Sequence, residues 1–121
     1  VSKWDKLQVE RTERADAGVS VFRLSGMLDS GPETYAFLEQ VQLESRKGPA
    51  RVVIDLRGVS MISSAGVGII AACYTSVTNA GGKMCIASVQ GRAQTILNVV
   101  RILDVVPNAP DEEAAVKIVS T

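Results

Sequence analysis

Val53-Ile54-Asp55-Leu56-Arg57-Gly58-Val59-Ser60-Met61-Ile62-Ser63-Ser64-Ala65-Gly66-Val67-Gly68-Ile69-Ile70 is the stretch on which the fold turns. It opens inside the run Arg51-Val52-Val53-Ile54-Asp55-Leu56, whose continuous apolar centre suits a strand buried on both faces. Arg57 to Ile62 reads as a loop. A helix is then expected from about Ser64 to Asn79, closed by Gly81-Gly82. That helix is apolar on most sides (Val67, Ile69, Ile70, Ala71, Ala72, Cys73, Tyr74, Val77), which predicts neighbours covering most of it.

Upstream, Leu7 to Thr12 alternates, with Leu7 and Val9 on one face and Gln8, Glu10 and Thr12 on the other. Val19 to Leu24 is a second run of strand formers, and Gly26 is expected to stop it. The polar turn Glu13 to Gly18 between them predicts a hairpin. Ser30, Gly31 and Pro32 open a first helix, whose Thr34, Phe37, Leu38 and Val41 form an inner stripe and which ends before Gly48-Pro49. Downstream, Lys83 to Ser88 reads as a strand. Ala93, Ile96, Leu97 and Val100 follow the i, i+3, i+4, i+7 spacing of an amphipathic helix. Pro107 to Pro110 breaks the chain, and Asp111-Glu112-Glu113 opens a last helix carrying Ala115, Val116 and Val119. The order is β-β-α-β-α-β-α-α. It implies an α/β domain with a mixed sheet of four to five strands covered by four helices.

At 121 residues, 46% of them hydrophobic, the chain fits one domain with one core, spanning residues 1–121. Thirteen basic and thirteen acidic residues cancel, so no electrostatic pull toward nucleic acid or an anionic membrane is expected. No apolar run approaches the ~20 residues that span a bilayer, and no signal-peptide pattern is visible. The absence of His removes the commonest general base and metal ligand. Cys73 and Cys85 fall in a predicted helix and strand without metal-ligand spacing, so both read as small packing residues in a reducing, cytoplasmic compartment. Trp4, the sole tryptophan, reads as a cover for the sheet. Neither a nucleophile with an identifiable base nor paired carboxylates in a motif stand out, so no catalytic residue, metal site or cofactor is assigned.

The start of the second helix is where chemistry concentrates. Helix N-termini carry unpaired N–H groups and partial positive charge, so Ser63 and Ser64 stand where an oxyanion or phosphoryl group is favoured. Ala65, Gly66 and Gly68 are small and leave the first turn open to the approach of another protein. Three readings compete. Ser63 or Ser64 is an N-cap, with glycines for close helix–sheet packing. Gly66-x-Gly68-x-x-Ala71 is a dinucleotide fingerprint; this is disfavoured, because a loop intervenes after Leu56 and no Asp or Glu lies between Asp55 and Asp104. The third reading is a phosphorylatable switch.

The pattern Val-Val-Ile-Asp-Leu-x-Gly-Val-Ser-x-Ile-x-Ser-x-Gly-Val-Gly resembles the signature of the STAS family, of the anti-sigma factor antagonist type. The usual form there is Asp-Leu-Ser-Gly-Val-x-Phe-Ile-Asp-Ser-Ser-Gly-Leu-Gly. Gly26-Met27-Leu28-Asp29, Gly82-Lys83, Ile96-Leu97 through Leu103, and Asp111-Glu112-Glu113-Ala114 resemble further family segments in the same order. The resemblance implies a regulator that binds a partner. Its unmodified form engages an anti-sigma factor that is also a serine kinase, of the ATP-binding histidine-kinase-like type. A sigma factor is thereby freed, and a serine phosphatase resets the phosphorylated form. By position the modified serine is Ser64. The family's Asp is here Ser63, a competing acceptor, and the second Ser of its pair is Ala65. The partner-binding residues so implied are Asp29, Ser63, Ser64, Ala65, Gly66, Val67 and Gly68.

Asp29 also reads as a cap of the turn before the first helix, and Asp55 as a bond to loop backbone. Two further functions fit the sequence. One is a non-switching STAS scaffold subunit of a signalling complex or lipid-transport ATPase, for which the changes at Ser63 and Ala65 leave room. The other is a ligand-sensing domain that binds nucleotide at Ser64–Gly68.

Overall fold

The structure, a computed structural model, describes residues 5–121; Trp4 lies outside them. Ten elements follow in order: β1 (Gln8–Arg14), β2 (Val19–Leu28), α1 (Pro32–Arg46), β3 (Arg51–Ile62), α2 (Ser64–Asn79), β4 (Lys83–Ala87), α3 (Gly91–Val99), a 3₁₀ turn (Ile102–Asp104), β5 (Asn108–Ala109) and α4 (Glu112–Ser120). The strands form one sheet in the order β1-β2-β3-β4-β5. β1 and β2 are an antiparallel hairpin, and β2 to β5 run parallel, so the sheet is mixed as expected.

Strand alternation sorts the core into two layers. Phe22, Leu24, Val52, Ile54, Leu56, Met84 and Ile86 face α1, α2 and α3, meeting Phe37, Val41, Ile70, Cys73, Ala93 and Leu97. Phe22 and Phe37 meet edge to face at 5.6 Å. Val19, Val21, Val53, Cys85 and Ala87 face the other way and are covered by Ala115, Val116 and Val119 of α4. The run Val52–Leu56 is thus buried on both sides, as its composition predicts.

Three boundaries differ from expectation. Gly26 does not stop β2, which continues to Leu28; a φ of +89° lets this glycine turn within the strand while its neighbours stay paired. Arg57 to Ile62 is not a loop. It continues β3 alongside β2, with register shifts between Arg23 and Ser25 and between Gly26 and Met27 that absorb the extra residues. The Pro107–Pro110 break contains β5, fixed by the Ile86 N–H donating to the Pro107 carbonyl at 2.8 Å and the Ser88 N–H to the Ala109 carbonyl at 3.1 Å.

Two side-chain patterns also need correction. In α3 only Ala93 and Leu97 are buried, whereas Ile96 and Val100 are exposed. α2 buries one side through Gly66, Ile69, Ile70, Cys73 and Val77 and leaves Gly68 and Ala71 open.

Candidate functional site

β2 and β3 end side by side, with Leu28 and Ile62 in register. The Leu28 carbonyl accepts the Ser63 N–H at 3.0 Å, which ties the start of α2 to the end of β2. Ser63 adopts an extended conformation (φ −88°, ψ 174°), and its hydroxyl accepts the Gly66 N–H at 3.3 Å. Its carbonyl takes the first intrahelical bond, from Val67 at 3.0 Å. Ser63 is therefore the N-cap, and Ser64 is the first helical residue.

Ser64 is exposed. The N–H groups of Ser64 and Ala65 lie in the first turn, where no preceding carbonyl is in reach, and the positive end of the helix dipole adds to them. The turn is open at Ser64, Ala65 and Gly68 but closed at Gly66. A Cβ on Gly66 would come within 2.1 Å of the Leu28 carbonyl oxygen, whereas a Cβ on Gly68 would meet nothing within 4 Å. The two glycines thus act differently: Gly66 seats the helix on the sheet, and Gly68 keeps its outer surface flat. Val67 is half-buried against the core.

Asp29 follows Leu28 directly and so stands beside this junction. Its Oδ1 accepts the Gly31 N–H at 2.9 Å, and its own N–H donates to the Thr34 hydroxyl at 3.4 Å, which shapes the entry to α1. Asp55 lies farther back on β3. Its Oδ1 accepts the Arg57 N–H at 2.8 Å, so it does bond to backbone, although that backbone belongs to a bulged strand.

Next to the serines, Met61 and Ile62 of β3 and Thr95 and Ile96 of α3 line a recess of about 340 Å³ with Arg92 at its rim. The sequence pattern placed Ile96 inward and gave no sign of Met61 or Arg92 as neighbours of the helix start. Spacing alone does not settle which residues of such a stripe turn inward: in α2 the adjacent Ile69 and Ile70 are both buried, whereas in α3 Leu97 is buried and Ile96 is exposed. A second cleft, of about 550 Å³, lies at the opposite end of the sheet and is lined by charged residues including Arg11, Glu44, Lys47, Arg51 and Lys83.

Among the described residues, no group of three or more His, Cys, Asp or Glu side chains is placed to hold a metal ion, and no helix is long and apolar enough to cross a membrane. Cys73 and Cys85 are buried free thiols. Burial pushes Cys73 up to about 12 and Cys85 up to about 11.

The fold is shared with known proteins. The chain is 25% identical over 101 residues to the anti-sigma F factor antagonist of Paenibacillus polymyxa, covering 84% of this chain and 85% of that protein. Its fold superposes on the crystal structure of an anti-sigma factor antagonist from Mycobacterium paratuberculosis with a TM-score of 0.82, at 22% identity and 96% coverage of each chain. It also superposes on the anti-sigma factor antagonist SpoIIAA in its unphosphorylated form, with a TM-score of 0.66, at 17% identity, covering 90% of this chain and 92% of that one. The family model of the STAS domain matches residues 6–115, nearly the whole of the described fold, and the chain belongs to that family.

Proposed function

We propose that this chain, as one STAS domain over residues 1–121, is an anti-sigma factor antagonist that acts in the cytoplasm by binding a partner, not by catalysis. The unmodified form docks an anti-sigma factor that is also a serine kinase of the histidine-kinase-like ATP-binding type, and so frees a sigma factor. Phosphorylation of Ser64 ends the docking, and a serine phosphatase restores it. One observation carries the reading: Ser64 is exposed at the first position of α2, while its neighbour Ser63 is engaged as the cap. The names of the relatives supply the class of partner.

The docking surface comprises Asp29, Ser63, Ser64, Ala65, Val67 and Gly68, with Gly66 holding the turn in place from beneath. A phosphoryl group on Ser64 adds about −1.5 to −2 charges, and the free N–H groups of the first turn stabilise it, so the domain keeps its fold. The added charge and bulk fall on the flat patch around Gly68. A loss of ~3 kcal/mol of partner affinity weakens binding more than a hundredfold, enough for a switch.

The test is incubation with the cognate ATP-dependent serine kinase and mass spectrometry of wild type, Ser64→Ala and Ser63→Ala. The reading expects label in wild type and Ser63→Ala and none in Ser64→Ala. Absence of label from wild type would favour a non-switching scaffold subunit. Equal affinity of the kinase for modified and unmodified protein would remove the switch.

A further inference from the structure

Asp55 is the single charged side chain buried in the core among the described residues, 7% exposed. It alternates with Ile54 and Leu56 and so faces α4, on the side of Val53. In the sheet it lies between Arg23 of β2 and Ala87 of β4, so β4 brings no charge to it. On its own strand the Arg57 N–H donates to its Oδ1. From α4, Glu112, held against the sheet by Arg23, comes close enough to Asp55 to push its carboxyl upward.

Glu112 is in turn gripped by a fork. Arg23 Nε donates to one carboxylate oxygen at 2.6 Å and Nη2 to the other at 2.8 Å. Arg23 Nη1 also donates to Glu10 at 2.8 Å and to the Thr12 hydroxyl at 3.0 Å, both on β1. Arg14, also on β1, adds a favourable field at Glu112 and donates to Glu113 at 2.8 Å. Two carboxyl groups bond to each other only if one carries a proton. The Arg23 fork assigns the charge to Glu112, which it holds below the usual carboxylate range against the effect of burial. When the pair holds a proton, it therefore resides on Asp55, the buried member, with Glu112 as the acceptor within reach.

We propose that this shared proton latches α4 onto the sheet, so that the helix is docked more tightly in acid than at neutral pH. Burial first, and the Glu112 bond second, push Asp55 up to about 6, against the Arg57 N–H, which acts downward. With α4 lifted, Asp55 meets water and returns toward its ordinary value of 3.8. The closed state thus binds more protons between those two values. Its extra stability is full below 3.8 and is lost as pH rises through about 6. Above that, Asp55 and Glu112 are both anions, and the Arg23 fork serves Glu112.

Amide hydrogen exchange of the whole chain, corrected for the pH dependence of intrinsic exchange, reads this out along α4. Protection of the Ala115–Ser120 amides in wild type should fall about tenfold between pH 5 and pH 8, with no matching change in α1. Asp55→Asn keeps the shape and a donor for Glu112 at every pH, so its protection should stay constant. A flat wild-type profile, or an equal fall in Asp55→Asn, overturns the latch. Carbon-13 titration of the Asp55 carboxyl in wild type needs no variant: a midpoint near 6 supports the shared proton, and one in the ordinary aspartate range overturns it.

Discussion

Gly66 presses its backbone against the Leu28 carbonyl so closely that a methyl group there would stand 2.1 Å from the oxygen and 2.9 Å from the carbon. Both obstructing atoms are backbone, and the same carbonyl already accepts the Ser63 N–H, so neither side yields without moving the helix. Gly66→Ala is expected to destabilise the domain by about 3 kcal/mol in urea unfolding. Gly68→Ala meets open space and should be neutral or stabilise by about 0.5–1 kcal/mol through helix propensity. Equal effects at the two positions would contradict the seating of α2.

Adjacent serines at the mouth of α2 should separate in the same assay. Ser63→Ala removes the acceptor for the Gly66 N–H and is expected to cost about 1 kcal/mol. Ser64→Ala removes an exposed hydroxyl from a helical position and should change stability by less than about 0.5 kcal/mol. Reversal of that order would make Ser64 the cap.

Glu44 should give the domain a pH dependence of opposite sign to that of Asp55. Arg11 Nε donates to its carboxylate at 2.7 Å and the Ser20 hydroxyl at 2.7 Å. Burial acts upward on Glu44, but these two donors prevail and hold it below the usual glutamate range. A depressed carboxyl stabilises above its unfolded value and loses that contribution as pH falls. Wild type should exceed Glu44→Gln by about 1 kcal/mol at pH 7, with the gap closing as pH drops below about 4.5. A gap that persists at pH 3 would point to packing instead of charge.

Cys73 and Cys85 should resist alkylation while the domain is folded. Both are fully buried, and burial raises both thiols far above neutrality. Iodoacetamide at pH 7.5 should leave native protein unmodified and add two groups in denaturant. Rapid labelling of one cysteine in native protein would show that its layer opens locally.

What the sequence made legible was what one segment decides for itself. Val52–Leu56 is a buried strand because no other element suits so continuous a run, and Asp111 is a cap because its Oδ1 accepts the Ala114 N–H within its own turn. Gly26 and Gly58 misled because they carry terminator chemistry, yet the two strands keep them paired by slipping register, with Arg57 left at the slip. β5 was invisible because its two residues are held by Ile86 and Ser88, not by propensity of their own. In α3 the spacing of Ile96 and Val100 described an apolar stripe without saying where the sheet lies. At the site, hydroxyls at a helix start were readable, but the division of roles between Ser63 and Ser64 depends on a backbone angle. The Asp55–Glu112 contact joins residues far apart in sequence and leaves no local trace.

The outer margins of the sheet carry a last implication. One margin is β1, whose seven residues include the charges Glu10, Arg11, Glu13 and Arg14; the other is β5, two residues long between prolines. A foreign strand laid along either would find mismatched ions or almost no ladder to join. Growth of the sheet from chain to chain is thereby discouraged, which leaves the helical surfaces as the broader faces open to other molecules.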